Sequence, residues 1–62
     1  MTLQNLINLN VITKDMFCIV LNDKGMVNDS APYRCIKKKF KSKEIYLLDI
    51  DYVHNTILAY VR

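Results

Sequence analysis

The sequence has very few residues that break regular structure: a single glycine, Gly25, and a single proline, Pro32. Disordered chains and flexible linkers are rich in such residues and poor in apolar ones. Here 52% of the 62 residues are apolar, so the composition excludes both classes. The single glycine also excludes a glycine-rich phosphate-binding loop, which needs several. We expect one folded domain spanning residues 1–62.

Residues that perform catalysis or bind metals are also scarce. The only histidine, His54, falls at a predicted hairpin turn, and no nucleophile or acid–base constellation is visible. Cys18 and Cys35 lie inside apolar runs without Cys-x-x-Cys spacing, which favours two buried, reduced thiols over a zinc site. Asp49 and Asp51 share one face of a strand; such pairs can bind a metal ion, but are more often part of a solvated sheet face. We predict no enzyme, no cofactor and no metal.

No stretch approaches the roughly 18 apolar residues of a membrane-spanning helix. The first basic residue is Lys14, and Asn5, Asn8 and Asn10 interrupt the apolar residues before it. This is not the pattern of a secretory signal peptide. We therefore expect a cytoplasmic protein with no membrane partner.

The C-terminal segment 44–62 predicts a β-hairpin that turns near residues 54–55. Side chains alternate between the two faces of a strand. With Leu48 opposite Val61, apolar residues of both strands fall on one face together with Tyr46, and a mixed set falls on the other face. A hairpin this apolar is expected to bury one face against another element.

The N-terminal segment predicts a short helix over Leu3–Leu9, with apolar residues at helical spacing. Thr2 is a suitable N-cap, but Asn5 stands where a capping box would have Glu or Gln, so we expect an incomplete box. Asn10 tolerates the left-handed conformation that often ends helices. A helix this short is not stable alone, so it is expected to pack on the sheet.

Further strands are predicted between the helix and the hairpin. Met16–Leu21 is an uninterrupted apolar run, typical of a central strand covered on both faces. Asn22–Gly25 predicts a tight turn with positive φ at Gly25. Met26–Val27 predicts a short returning strand that Asn28–Pro32 ends, and Tyr33–Phe40 predicts another strand. The fold class is α+β: one short N-terminal helix packed on a small antiparallel β-meander of four to five strands.

The basic residues are concentrated in one run, whereas the rest of the chain has four basic and six acidic residues. Lysines on a β-arm can bind a phosphate backbone by releasing counterions, and an aromatic residue among them can stack on a base. An acidic protein is a second possible partner, and a solvated arm that blocks edge-to-edge aggregation is a third interpretation. The residues of this candidate site are Lys37, Lys38, Lys39, Phe40, Lys41 and Lys43.

The apolar content also predicts self-association. One short helix shields only one side of a sheet, and exposed apolar patches beyond a few hundred Å² are rare on soluble monomers. The surplus is expected to contact a second copy, most simply as a two-fold dimer. We predict Leu47, Leu58 and Tyr60 at that interface.

The opening segment 1–25, TLQNLINLNVITKDMFCIVLNDKG after the initial Met, resembles short proteins encoded by phages and prophages of low-GC Gram-positive bacteria. In these, a TLxxLIxxxVI helix leads through a KDM turn into a strand and a DxxG hairpin. The resemblance implies one helix on a small antiparallel sheet and a bacterial host, and it implies no catalytic residues. Our leading hypothesis is a small homodimeric interaction module that regulates or inhibits a host or phage protein. The alternative is a non-specific nucleic-acid-binding accessory protein that uses the lysine run.

Overall fold

The fold is built on a four-stranded sheet whose two central strands, β1 (Phe17–Leu21) and β4 (Thr56–Val61), run parallel. The computed structural model, which describes residues 1–62, pairs β1 antiparallel with β2 (Val27–Pro32) and β4 antiparallel with β3 (Ile45–Asp51). The strand order is therefore β2-β1-β4-β3, with β2 and β3 at the two edges.

The predicted α+β class, with a short N-terminal helix on a small sheet, is confirmed. The meander is wrong, because strands joined in parallel need a crossover, and the chain crosses from β1 to β4 through β2, a helical segment and β3. The central position of the apolar run is confirmed, but it is not covered on both faces. Cys18 and Val20 are fully buried, whereas Phe17, on the other face, is 40% exposed.

The N-terminal helix α1 (Leu3–Asn8) begins with a complete capping box, contrary to expectation. The Thr2 hydroxyl accepts a hydrogen bond from the Asn5 amide at 3.1 Å, and the Asn5 side-chain oxygen accepts one from the Thr2 amide at 3.0 Å. The shorter asparagine thus replaces the usual Glu or Gln. Leu3 and Leu6 point from this helix into the core and are almost fully buried.

The end of α1 also follows from local chemistry. Asn10 takes the left-handed conformation with φ of 59°, as predicted. Its amide donates to the Ile7 carbonyl at 3.0 Å, and the Val11 amide donates to the Leu6 carbonyl at 2.9 Å. These two bonds form a Schellman motif, which satisfies carbonyls that the helix end would leave free.

The hydrophobic core lies on one side of the sheet, under α1 and the helical segment that follows β2. We call this side of the sheet the inner face. The edge strands contribute only partly buried side chains to it. The core comprises Leu3, Leu6, Ile12, Met16, Cys18, Val20, Tyr33, Ile36, Phe40, Ile57, Ala59 and Val61.

The turn between β1 and β2 forms as predicted. The Asn22 side-chain oxygen accepts hydrogen bonds from the Lys24 and Met26 amides at 2.9 and 3.0 Å. Gly25 has φ of +77°, a backbone conformation that is energetically unfavourable for residues with a Cβ atom. Strand β2 then continues to Pro32, although Asn28–Pro32 was predicted to end it. Pairing with β1 outweighs the low strand propensity of these residues, and an edge strand tolerates a terminal proline.

The predicted strand over Tyr33–Phe40 is wrong. The segment forms a 3₁₀ turn, Tyr33–Cys35, followed by one turn of helix, α2 (Lys38–Lys41). Tyr33, Ile36 and Phe40 are 8% exposed or less, and their spacing of three and four residues is helical.

The C-terminal hairpin forms with its register shifted by two residues. Leu48 pairs with Ala59 rather than with Val61. Because a shift of two keeps each side chain on its face, the predicted inner position of Leu48 holds. The loop is longer than predicted and includes Tyr52, whose hydroxyl donates to the Val11 carbonyl at 2.8 Å.

A β-bulge in β3 places Tyr46 on the side of the sheet away from the core, contrary to prediction. Ile45 pairs with Val61 and Leu47 pairs with Tyr60, so Tyr46 is the extra residue. The Tyr46 and Tyr60 rings are in contact, with centroids 6.2 Å apart. Bulges of this kind redirect a side chain, and here the bulge leaves Ile45 partly buried against the core.

Replacing Leu6 with Ala should lower the free energy of unfolding by about 2–5 kcal/mol, because it empties a fully packed site. Leu9, which is 64% exposed, provides the matched control. The Leu9→Ala variant should change the free energy of unfolding by less than about 0.5 kcal/mol. Urea denaturation followed by circular dichroism measures both. Equal effects from the two variants would show that α1 does not pack on the inner face.

Replacing Gly25 with Val should destabilise the protein by about 1–2 kcal/mol, the cost of the left-handed conformation for a residue with a Cβ. No atom lies within 4 Å of the position that a Cβ would take, so the cost is conformational and not steric. Gly25→Asn should cost less, since asparagine tolerates positive φ. Thermal melts of the two variants test this, and a valine variant as stable as the asparagine variant would contradict it.

Candidate functional site

On the side of the sheet opposite the core, Phe17, Tyr46 and Leu47 are exposed, whereas Leu21, at the end of β1, is 9% exposed. Alternation along the strands turns every second side chain of β1, β4 and β3 to this side. Most of these side chains are apolar or aromatic. We call this surface the outer face and define it by Phe17, Ile19, Tyr46, Leu47, Leu58 and Tyr60.

The outer face contains all three residues predicted for a contact with a second copy. Leu47 and Tyr60 are opposite each other on β3 and β4, and Leu58 follows on the same side of β4. Leu47 is 55% exposed, and Leu58 and Tyr60 are half-buried by their neighbours. Sequence analysis did not place Phe17 on an open surface, because the continuous apolar run suggested cover on both sides.

Charges of opposite sign lie at the two ends of this outer face. At one end the Arg62 guanidinium lies over the Tyr46 ring, 5.2 Å from its centroid, an arrangement that favours attraction between cation and ring. At the other end is the exposed carboxylate of Asp51, opposite Thr56, whereas the exposed carboxylate of Asp49 lies opposite Leu58 near the middle. The alternating pattern of the strand predicted these two aspartates on one face. The bulge that brings Tyr46 to Arg62 gave no signal in the sequence.

The predicted lysine site does not form one arm. Lys38 and Lys41 are one helical turn apart and line a hollow beside α1, whereas Lys43 lines a different hollow together with Arg62. Lys37 supplies its backbone amide to the Asp29 carboxylate at 3.0 Å, which holds the pKa of Asp29 below its usual value.

The aromatic residue of that site is not available to a base. Phe40 is only 8% exposed because it belongs to the core. The Lys39 ammonium lies 5.0 Å from its ring centroid and covers the edge that remains. The predicted stacking role of Phe40 is therefore wrong, because α2 turns its ring inward.

A concave basic surface lies between α1 and the helical segment after β2. It consists of two adjoining hollows that share Gln4 and Lys41, and one of them has a volume of about 270 Å³. We call this surface the basic groove. Its basic side chains are Lys14, Arg34, Lys38 and Lys41.

Two hydrogen bonds and one cation–ring contact fix the shape of the basic groove. The Tyr33 hydroxyl donates to the Gln4 side-chain oxygen at 3.1 Å, and the Arg34 amide donates to the Lys14 carbonyl at 3.2 Å. The Lys41 ammonium lies 4.5 Å from the centroid of the Tyr33 ring. Sequence analysis missed Lys14 and Arg34, since both are distant in sequence from the lysine run.

No lysine or arginine of the chain forms an ion pair. The two ion pairs are those of the Met1 amino group with Glu44 and of His54 with Asp51. The second pair is in the β3–β4 loop, where His54 Nδ1 and Asp51 Oδ2 are 2.6 Å apart and the hydrogen bond from His54 lowers the pKa of Asp51. No group of three or more His, Cys, Asp or Glu side chains is arranged to hold a metal ion.

The two cysteines differ in environment, although both were predicted to be buried. Both are free thiols. Cys18 is fully buried in β1, and burial raises the pKa of its thiol to about 11. Cys35 is exposed, because its segment forms a 3₁₀ turn instead of the predicted strand.

This difference predicts one fast and one slow thiol. Because the thiolate is the reactive form, iodoacetamide at neutral pH should modify Cys35 quickly and Cys18 only when the protein unfolds. Mass spectrometry with and without urea measures both sites. In Cys35→Ser no fast thiol should remain, and a fast thiol in that variant would contradict the burial of Cys18.

Comparison with protein-family models, with curated proteins and with solved structures finds no match to this chain. None of its helices has the length and apolar character needed to cross a membrane.

Proposed function

We propose that the chain is a non-enzymatic protein-interaction module whose outer face binds a second copy of the chain. The observation that carries this proposal is an apolar sheet face with no element over it. Phe17, Tyr46 and Leu47 are each 40% exposed or more on this face. Aromatic residues are enriched in the buried centres of protein interfaces, and uncovered apolar patches on a small domain mark contact sites.

The charges on the outer face support a second copy as the partner. Two outer faces can stack about a two-fold axis that lies between the two sheets, parallel to their planes and perpendicular to the strands. Each strand then lies over the same strand of the other copy and runs antiparallel to it, so β3 lies over β3. The end with Asp51 would then lie over the Arg62 end of the partner. A self-complementary patch is what a two-fold interface requires.

The size of the outer face indicates a weak dimer. Four strands about 4.8 Å apart and about five residues of 3.3 Å each cover a flat area of roughly 300 Å². Standard interfaces bury about 800 Å² per partner. We therefore expect association in the micromolar-to-millimolar range, with the monomer predominant on dilution.

The wider role belongs to the same proposal. A module that exchanges between monomer and dimer can present the same face to another protein, as a regulator or inhibitor of a host or phage protein would. The resemblance of the opening segment to phage-encoded proteins supports this setting.

Sedimentation equilibrium over a wide concentration range tests the dimer. Leu58→Lys should yield a monomer at every concentration, because it places a charge in the centre of the stacked faces. Leu9→Lys makes the same change at an exposed site on α1, away from the outer face, and should dimerise as the unmodified protein does. A monomer mass for the unmodified protein even at millimolar concentration would overturn the proposal.

Charge reversal tests the orientation. Arg62→Asp should weaken the dimer because it places like charges together, and adding Asp51→Arg to it should restore much of the loss. Dissociation constants of the two single variants and the double variant form a mutant cycle. If the effects of the two substitutions on the free energy of dissociation are simply additive, the two residues are not in contact across the interface. The antiparallel stacking would then be wrong, even if the two outer faces bind each other in another orientation.

A further inference from the structure

The basic groove combines features that single surface lysines do not have. It is concave, its basic side chains come from three parts of the chain, and its walls are fixed by the bonds between Tyr33 and Gln4 and between Arg34 and Lys14. It also lies on the helical side of the molecule, away from the outer face. A dimer formed through two outer faces would leave both basic grooves open.

The groove carries a local excess of positive charge. Lys14, Arg34, Lys38 and Lys41 form no ion pair, and no acidic side chain lines either hollow. The carboxylate of Asp15 offsets part of this charge, since the hydrogen bond from Thr13 and, to a smaller extent, the charge of Arg34 lower its pKa. Such a surface attracts an anion of extended or repeated charge.

We infer that the basic groove binds the phosphate backbone of nucleic acid without sequence preference. Guanidinium and ammonium groups are the usual donors to phosphate oxygens, and such contacts position a protein without reading bases. The groove offers no platform for base stacking, since Tyr33 is 3% exposed and lies under Lys41. Binding through phosphates alone should therefore be electrostatic and strongly dependent on salt.

Two other anionic partners fit the groove less well. A membrane surface is bound through apolar side chains that protrude among the basic ones, whereas the only aliphatic residue that lines the hollows is the half-buried Ile7. An acidic peptide is normally anchored by apolar side chains in pockets, and the walls here are mostly polar. A chain of phosphates needs neither feature.

Fluorescence anisotropy with a labelled DNA duplex of arbitrary sequence, measured at several salt concentrations, tests this inference. If about four phosphates are contacted, the logarithm of the binding constant should fall with the logarithm of salt concentration with a slope of about −3 to −4. The triple variant Lys14→Gln/Arg34→Gln/Lys38→Gln should lose more than about tenfold in affinity and show a slope closer to −1. Lys41 is left unchanged because it contacts the core residue Tyr33.

A charge-matched triple variant, Lys24→Gln/Lys37→Gln/Lys43→Gln, is the control. It removes the same net charge from side chains that line neither hollow of the basic groove and should keep most of the affinity and slope. Equal loss in both triples would show that net charge, and not the groove, attracts DNA, and would overturn the inference. It would also be overturned if the unmodified protein failed to bind the duplex at low salt, or bound phosphatidylserine vesicles or polyglutamate in preference to it.

Discussion

The parallel pairing of β1 with β4 is the constraint on which the rest of the structure depends. It joins two apolar strands that are distant in sequence and places both at the centre of the sheet. Everything between them must then serve as a crossover and lie on the sides that remain: β2 and β3 pair at the edges, and the helical segment lies over one face. Together with α1, that segment supplies the cover for the inner face, and no segment is left for the outer face. The open surface is thus a consequence of the topology of a short chain.

Local features were predictable because their causes are local. The turn at Gly25, the left-handed end of α1 at Asn10 and the inward faces of the two C-terminal strands depend on neighbouring residues or on alternation, and the structure confirms them. The parallel ladder was not predictable, because nothing local distinguishes a strand that pairs with its neighbour from one that pairs across the chain. The two-residue shift in the hairpin arises because a four-residue loop over 52–55 replaces the two-residue turn that the pattern suggests.

The candidate surfaces also combine features that could be predicted from the sequence with features that could not. The aspartates of β3 and the residues predicted for a contact fall together because alternation along a strand is reliable. The segment that contains the lysine run was predicted as a strand, whereas the buried Tyr33, Ile36 and Phe40 have helical spacing. As a result the lysines divide between two hollows, and the basic groove gains Lys14 and Arg34 only through tertiary structure. This grouping of basic residues can be recognised only when the path of the crossover between β1 and β4 is known.

The central claim is that one face of the sheet forms the core and the other is a contact surface for a second copy. The most direct test is an isotope-filtered NMR experiment on a concentrated mixture of labelled and unlabelled protein, which detects contacts between copies only. The account predicts intermolecular signals from the methyl groups of Ile19 and Leu58 to the aromatic rings of Phe17 and Tyr60, and none from the inner-face methyl groups of Val20 and Ile57. Intermolecular signals confined to other surfaces, or absent at millimolar concentration, would contradict it.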